Sequence, residues 1–128
     1  VIRFTDDLNK TRRLPPCSLI IHCAGRKPKE GIEVDDFIYS NVTANLNLAN
    51  LARNIPVVYL STMAVYVANS YGVTKLLGEL ILKEKHKNTI VIRLPKIIEG
   101  NADGDITISF NELGEKVIEA INSLSVKD

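Results

Sequence analysis

Tyr71 and Lys75 stand at the two ends of the run Tyr71-Gly-Val-Thr-Lys75, and the pair Ser61-Thr62 lies a short way ahead of them. On a helix the tyrosine and the lysine are one turn apart and project from the same face. An ammonium beside a phenol favours the phenolate, which would bring the tyrosine down from its usual pKa of about 10 towards neutrality. Such a tyrosine can pass a proton to or from a hydroxyl or carbonyl oxygen. Thr62 could hydrogen-bond that same oxygen. Tyr-x-x-x-Lys alone is a common spacing and equally suits an exposed helix pair. A Ser-Thr pair at a strand end just before it makes the combination far more specific.

These residues need elements that hold them together, and the sequence alternates short β-rich runs with longer helical ones. Val1–Thr5 is a candidate strand ending at Asp6-Asp7, and Leu19–His22 is a buried strand stopping at Ala24-Gly25. Residues 34–53 read as a helix from Ile38, Val42, Leu46, Ala49 and Arg53. Pro56 then resets the chain for a strand at Val57–Leu60. The clearest helix, 70–86, carries Val73, Leu76, Leu77, Leu80 and Ile81 at the spacing of one apolar stripe, and this face is expected to be buried. Thr89–Leu94 is a strand stopped by Pro95, and Asp105–Ser109 a short further one. Ser109 and Glu112 have capping-box spacing before a last helix with Leu113, Val117, Ala120, Ile121 and Leu124. Continuous apolar strands between amphipathic helices predict an α/β fold, a doubly wound parallel sheet covered on both faces. Ligands in such sheets sit beyond the carboxyl ends of the strands.

The chain has 128 residues, 45% apolar and 24% charged, with a net charge of +1, and so predicts one globular domain spanning 1–128. That balance gives no electrostatic case for nucleic acid or an anionic membrane. No apolar run reaches the roughly 20 residues a membrane helix needs. The basic string Lys83, Lys85, His86 and Lys87 suits the dipole-favoured last turn of a helix. Cys17 and Cys23 form neither a disulfide framework nor a metal-ligand pattern, even with His22 between, and no metal is expected. Asn41-Val42-Thr43 matches a glycosylation acceptor, a pattern chance often supplies. A reducing, cytoplasmic setting is expected.

Several segments together resemble the extended short-chain dehydrogenase/reductases, the NAD-dependent epimerase/dehydratase group. Leu19-Ile-Ile-His-Cys-Ala-Gly25 is similar to the family's "VIHxAA/G" strand end, and Asn41–Ala49 to its "NVxGTxNLL" helix. Leu60-Ser-Thr-Met-Ala-Val-Tyr66 resembles "SSxxVYG", Tyr71–Glu79 resembles "YGxSKLxGE", and Ile92-Arg-Leu-Pro95 resembles "xxRxxNVYG". The resemblance implies a Rossmann-like domain that binds NAD or NADP and acts on a nucleotide sugar, with Thr62, Tyr71 and Lys75 as the catalytic triad. It also implies that Tyr71 is the acid/base and that Lys75 holds the nicotinamide ribose. Asp7 and Leu8 would receive the adenine. Cys23, Ala24 and Gly25 would pass along the pyrophosphate and ribose with Lys27 near the phosphates, and Asn41 would organise the site. Leu60 and Ser61 would line the cofactor beside the triad, and Pro95 and Ile98 would border the nicotinamide. A homodimer through helices 34–53 and 70–86 is a further implication.

The family's Gly-x-x-Gly-x-x-Gly loop and its first βαβ portion would lie ahead of Val1. The segment between Tyr66 and Tyr71, and that after Gly100, are short where the family carries substrate contacts. The chain is therefore expected to be a partial member, with a minimised derivative as the alternative. The dTDP-4-dehydrorhamnose reductase type is an alternative for the chemistry. A non-catalytic dinucleotide-binding or regulatory role is the other.

Overall fold

The computed structural model describes residues 2–98 and 107–123. Three parallel strands form the main sheet in the order β1 (Ile20–His22), β2 (Val57–Thr62), β3 (Thr89–Leu94). The register runs Ile20 to Val57 and Val57 to Thr89, so the three carboxyl ends lie along one edge. Between β1 and β2 the chain is helical from α1 (Val34–Phe37) through a π-helical segment, Ile38–Thr43, into α2 (Ala44–Ala52). Helix α3 (Ser70–Lys85) joins β2 to β3. A second, two-stranded parallel pair, β4 (Lys96–Ile98) with β5 (Thr107–Ser109), leads into α4 (Phe110–Ser123).

Alternation along β2 sends its side chains to two cores. Val57 and Tyr59 face Ala44, Leu48, Ala52 and Leu82 of α2 and α3. Val58 packs with Leu60, Ile90, Ile92, Ala120 and Ile121 on the α4 side. Helices thus cover both faces, which is the doubly wound parallel arrangement, with the first strands of a full sheet not among the described residues. No described helix is long and apolar enough to cross a membrane.

Four expectations change. Residues 2–5 form no strand; Phe4 is used in packing against the core instead of in ladder pairing. Ser61 and Thr62 lie within β2, paired to Arg93 and Leu94, instead of after it. Pro95 ends β3 as expected, yet the chain resumes as β4. The largest change concerns α3. Its apolar stripe is the outward face: Val73 is 54% exposed, Leu77 44% and Leu80 57%. Gly72, Thr74, Lys75, Gly78, Glu79 and Leu82 are buried in its place. The reason is distance: a Cβ at Gly72 would overlap the carbonyls of Ala64 and Val67, and one at Gly78 the carbonyl of Asn41. Only small residues let the helix backbone approach that closely, so the close-packed face cannot carry the large side chains. Val1, Ile106, Leu124 and the start of the Asp105–Ser109 strand lie outside the described residues.

Candidate active site

The strand ends and the start of α3 enclose a cleft of about 670 Å³. Thr62, Tyr71 and Lys75 all line it, with Cys23, Gly25 and Lys27 on one side and Leu60, Ser61 and Pro95 on the other. A smaller cleft of about 280 Å³ is lined by Asp7, Leu8, Ala24 and Tyr39. Gly25 and Arg26 line both clefts, which therefore adjoin. Of the predicted residues, Asn41 lines neither, and the side chain of Ile98 lies outside the described residues.

Local capping fixes each catalytic candidate. Thr62 begins the 3₁₀ turn Met63–Tyr66, its Oγ1 accepting from the Ala64 N–H at 3.1 Å. The hydroxyl proton stays available for another acceptor. Asn69 caps α3 by accepting from the Gly72 N–H at 2.8 Å, which places Tyr71 in the first turn. The Tyr71 ring packs against Phe37 at 5.9 Å between centroids. Thr74 donates to the carbonyl of Ser70 at 2.7 Å and accepts from Asn41 Nδ2 at 3.2 Å. Asn41 is fully buried inside the π-helical segment, and its Oδ1 accepts the Arg26 N–H at 2.8 Å. Its role is thus to hold the Gly25-Arg26 turn from beneath.

Lys75 points elsewhere than the Tyr-x-x-x-Lys spacing suggests. The residue is 5% exposed, and its ammonium donates to the Tyr59 hydroxyl at 2.6 Å and lies 4.5 Å from that ring's centroid. Burial, opposed by the Glu79 charge, brings Lys75 down to about 8. Tyr59 is fully buried, and burial raises its phenol to about 12. The His22 ring stacks on it at 4.7 Å, with Nε2 2.7 Å from Asn45 Oδ1. Burial lowers His22 to about 4, so it is neutral at physiological pH. This also settles the histidine between two cysteines: it faces the core, while Cys17 and Cys23 are both exposed and unpaired. Burial raises the Cys23 thiol.

One turn further along α3, buried Glu79 accepts from Ser61 Oγ at 2.6 Å and from Arg93 Nη2 at 2.9 Å. Arg93 Nε reaches the same carboxylate, and Nη1 donates to the Tyr66 hydroxyl at 2.8 Å. At the smaller cleft, Asp7 accepts from Tyr39 Oη at 2.6 Å and from the Asn9 N–H at 2.9 Å. The Tyr39 bond, then the Asn9 one, holds its carboxyl below the usual range.

Sequence reasoning missed Tyr59, Asn45, Arg26 and Tyr39 as participants. A signal existed for the first. Tyr59 and Ser61 are alternate residues of one strand, roughly 6.6 Å apart along it, and Lys75 and Glu79 are one helical turn apart, about 6 Å. Equal spacing lets two polar pairs form across one strand–helix interface.

A parallel sheet with helices on both faces, and Thr62, Tyr71 and Lys75 at its carboxyl edge, is the arrangement of the extended short-chain dehydrogenase/reductases. A family model described as "Polysaccharide biosynthesis protein" matches residues 2–120, and the chain belongs to that family, of the NAD-dependent epimerase/dehydratase kind. No curated protein matches it significantly. Among solved structures it is similar to dTDP-4-dehydrorhamnose reductase from Bacillus anthracis in complex with NADP, at TM-score 0.70 and 19% identity over 83% of this chain and 52% of that one. It is similar to the Bordetella bronchiseptica enzyme WbmG in complex with NAD, at TM-score 0.66 and 15% identity, covering 84% of this chain and 46% of that one. UDP-glucuronic acid 4-epimerase from Bacillus cereus in complex with NAD follows at 0.59 and 23%, covering 72% and 36%. The chain spans about half the length of these proteins or less.

Proposed function

We propose that this chain is the catalytic-edge portion of an NAD(P)-dependent enzyme that reduces or epimerises a nucleotide sugar. The observation that carries the reading is the meeting of Thr62, Tyr71 and Lys75 in one cleft that adjoins the Asp7 cleft at Gly25. The residues present fit a dinucleotide. The two clefts share Gly25 and Arg26, and a Cβ at Gly25 would crowd Asn41 Oδ1 at 3.0 Å and Lys75 Nζ at 3.5 Å, so glycine keeps the junction undistorted. Asp7 and the Leu8 backbone would hold the adenine end, Lys27 and Arg26 the phosphates, and Lys75 the nicotinamide ribose. Leu60, Ser61 and Pro95 would wall the nicotinamide end.

When bound, nicotinamide supplies a site that accepts or gives a hydride at a sugar carbon. Tyr71 takes or returns the proton on the oxygen of that carbon, so that alcohol and carbonyl interconvert with atoms balanced. Thr62 donates its free hydroxyl proton to the same oxygen, since its lone pairs already hold Ala64. Leu94 and Leu113 bring apolar surface to the cleft and help to keep water out.

Saturable fluorescence change on adding NADH or NADPH, and loss of at least a hundredfold in turnover in Tyr71→Phe, are the expected results. Unchanged turnover in that variant would overturn the assignment. A reductase, unlike an epimerase, would use the cofactor as a true cosubstrate. Net consumption of one reduced cofactor per product would distinguish it. Two unpaired cysteines suit work in a reducing cytoplasm. The exposed apolar residues Ile38, Val73, Leu77 and Leu80 suit a homodimer through the helices of 34–53 and 70–86. A single monomeric species in sedimentation at micromolar concentration would exclude it.

A further inference from the structure

We propose that Tyr59 is the positioning residue for Lys75, and that the buried column Asn45–His22–Tyr59 fixes the direction in which the ammonium presents its remaining donors. The proposal rests on the reading of Lys75 as the ribose-holding group and adds the part of the chain that aims it.

An ammonium has three N–H donors on a flexible four-carbon stem. One is taken by Tyr59 Oη at 2.6 Å, from beneath the cleft. Lys75 lines the cleft beside Gly25, so its remaining donors have a side that a ligand can reach. Two donors are left on that side. They match the two adjacent hydroxyls of a ribose.

Tyr59 can serve in this way because it cannot move. It is fully buried in β2, His22 stacks on its face at an interplanar angle of 18°, and Asn45 holds His22. His22 is 4% exposed and Asn45 fully buried, so the column is rigid from the core outwards. The charged and titratable groups facing Lys75 are Glu79 on its own helix, His22 and Cys23 from β1 and its end, Lys27 from the following loop, and the phenols Tyr59 and Tyr71. His22 is neutral, and burial favours the neutral thiol of Cys23. Glu79 is the anion of the set, and Arg93 and Ser61 already engage its oxygens. Tyr59 is therefore the group that keeps Lys75 from turning along the helix towards Glu79.

The test is Tyr59→Phe in the full chain, which keeps the ring and removes the acceptor. Lys75 is followed by NMR of its side-chain carbons against pH. We expect its titration midpoint to fall by about one unit, because a charge-assisted hydrogen bond is lost. NADH or NADPH affinity at pH 8 should fall about tenfold, with a smaller loss at pH 6, where both proteins carry the ammonium. A lower melting temperature with the Lys75 midpoint unchanged would mean that Tyr59 only packs, and would overturn the proposal. Should the wild-type chain bind neither dinucleotide, the reading of the cleft falls, while the titration still decides the Tyr59–Lys75 link. Should the variant not fold, the wild type decides: through-space NMR contacts between the Lys75 Cε protons and the Tyr59 ring support the proposal, and their absence overturns it.

Discussion

The two ends of the cleft are built on opposite physical terms. At the Lys75 end the polar pairs are held from below, mostly out of water: Tyr59 with Lys75, His22 with Asn45, Ser61 and Arg93 with Glu79. At the Asp7 end the carboxylate, its partner Tyr39 and the turn residue Asn9 are held by hydrogen bonds open to water. The same bond length means different things in these two settings. In a low-dielectric interior, removing one partner leaves a charge or dipole stranded, whereas at the surface water replaces it. The buried end is thereby rigid and sensitive to substitution, and the exposed end can yield to a ligand.

Perturbations of the buried end should therefore dominate. Gly78→Ala would drive a methyl into the Asn41 carbonyl and force α3 off the π-helical segment. We expect a loss of more than about 3 kcal/mol in urea denaturation, together with loss of dinucleotide binding. A loss below about 1 kcal/mol would show that the helices separate easily there.

Acid should come next. His22 binds its proton at about 4 in the fold against 6.5 in the unfolded chain, so the unfolded state takes up protons first. The contribution of His22 is then level above pH 6.5 and falls between 6.5 and 4, by about 3 kcal/mol. Lys75, lowered to about 8 from 10.5, gives a second rise in stability as pH climbs between those values. Urea midpoints taken across pH should show both steps, and His22→Phe should abolish the lower one alone.

Glu79→Ala strands Ser61 and frees Arg93, which is one-third exposed and can rehydrate. A loss of about 2 kcal/mol in urea denaturation is expected, changing little with salt because Glu79 is buried. Tyr39→Phe marks the exposed extreme: no measurable change in melting, and AMP affinity reduced about twofold by calorimetry. A tenfold loss there would erase the contrast between the two ends.

Much of the frame was legible from sequence because strands and helices differ in hydrophobic period, and the meeting of Thr62, Tyr71 and Lys75 in one cleft followed from a strand end and one helix start. The inward face of α3 was not. Val73, Leu77 and Leu80 have the same spacing whether a stripe faces a core or lies on the surface, and the close-approach face is marked by Gly72 and Gly78, which carry no hydrophobic signal. Tyr59 was hidden for a related reason. Within Val57-Val58-Tyr59-Leu60 it looks like one more apolar strand residue, and its hydroxyl gains meaning only from a lysine brought up by tertiary packing. The π-helical segment gave no pattern of its own, since Ile38–Thr43 is compositionally an ordinary helix.

That segment has a consequence for insertions and deletions. A π turn holds about one residue more than an α turn, and each helical residue corresponds to roughly 100° of rotation. Deleting one residue between Ile38 and Thr43 would let the segment relax to regular α-helix with the elements on either side still in phase, because one full turn is kept. The same deletion inside α2, which has no spare residue, would turn everything before it by that angle, and Phe37 would leave Tyr71 and Tyr39 would leave Asp7 with no side chain at either contact altered. Drift in length should therefore be tolerated in the π-helical segment and not in the α-helix that follows it.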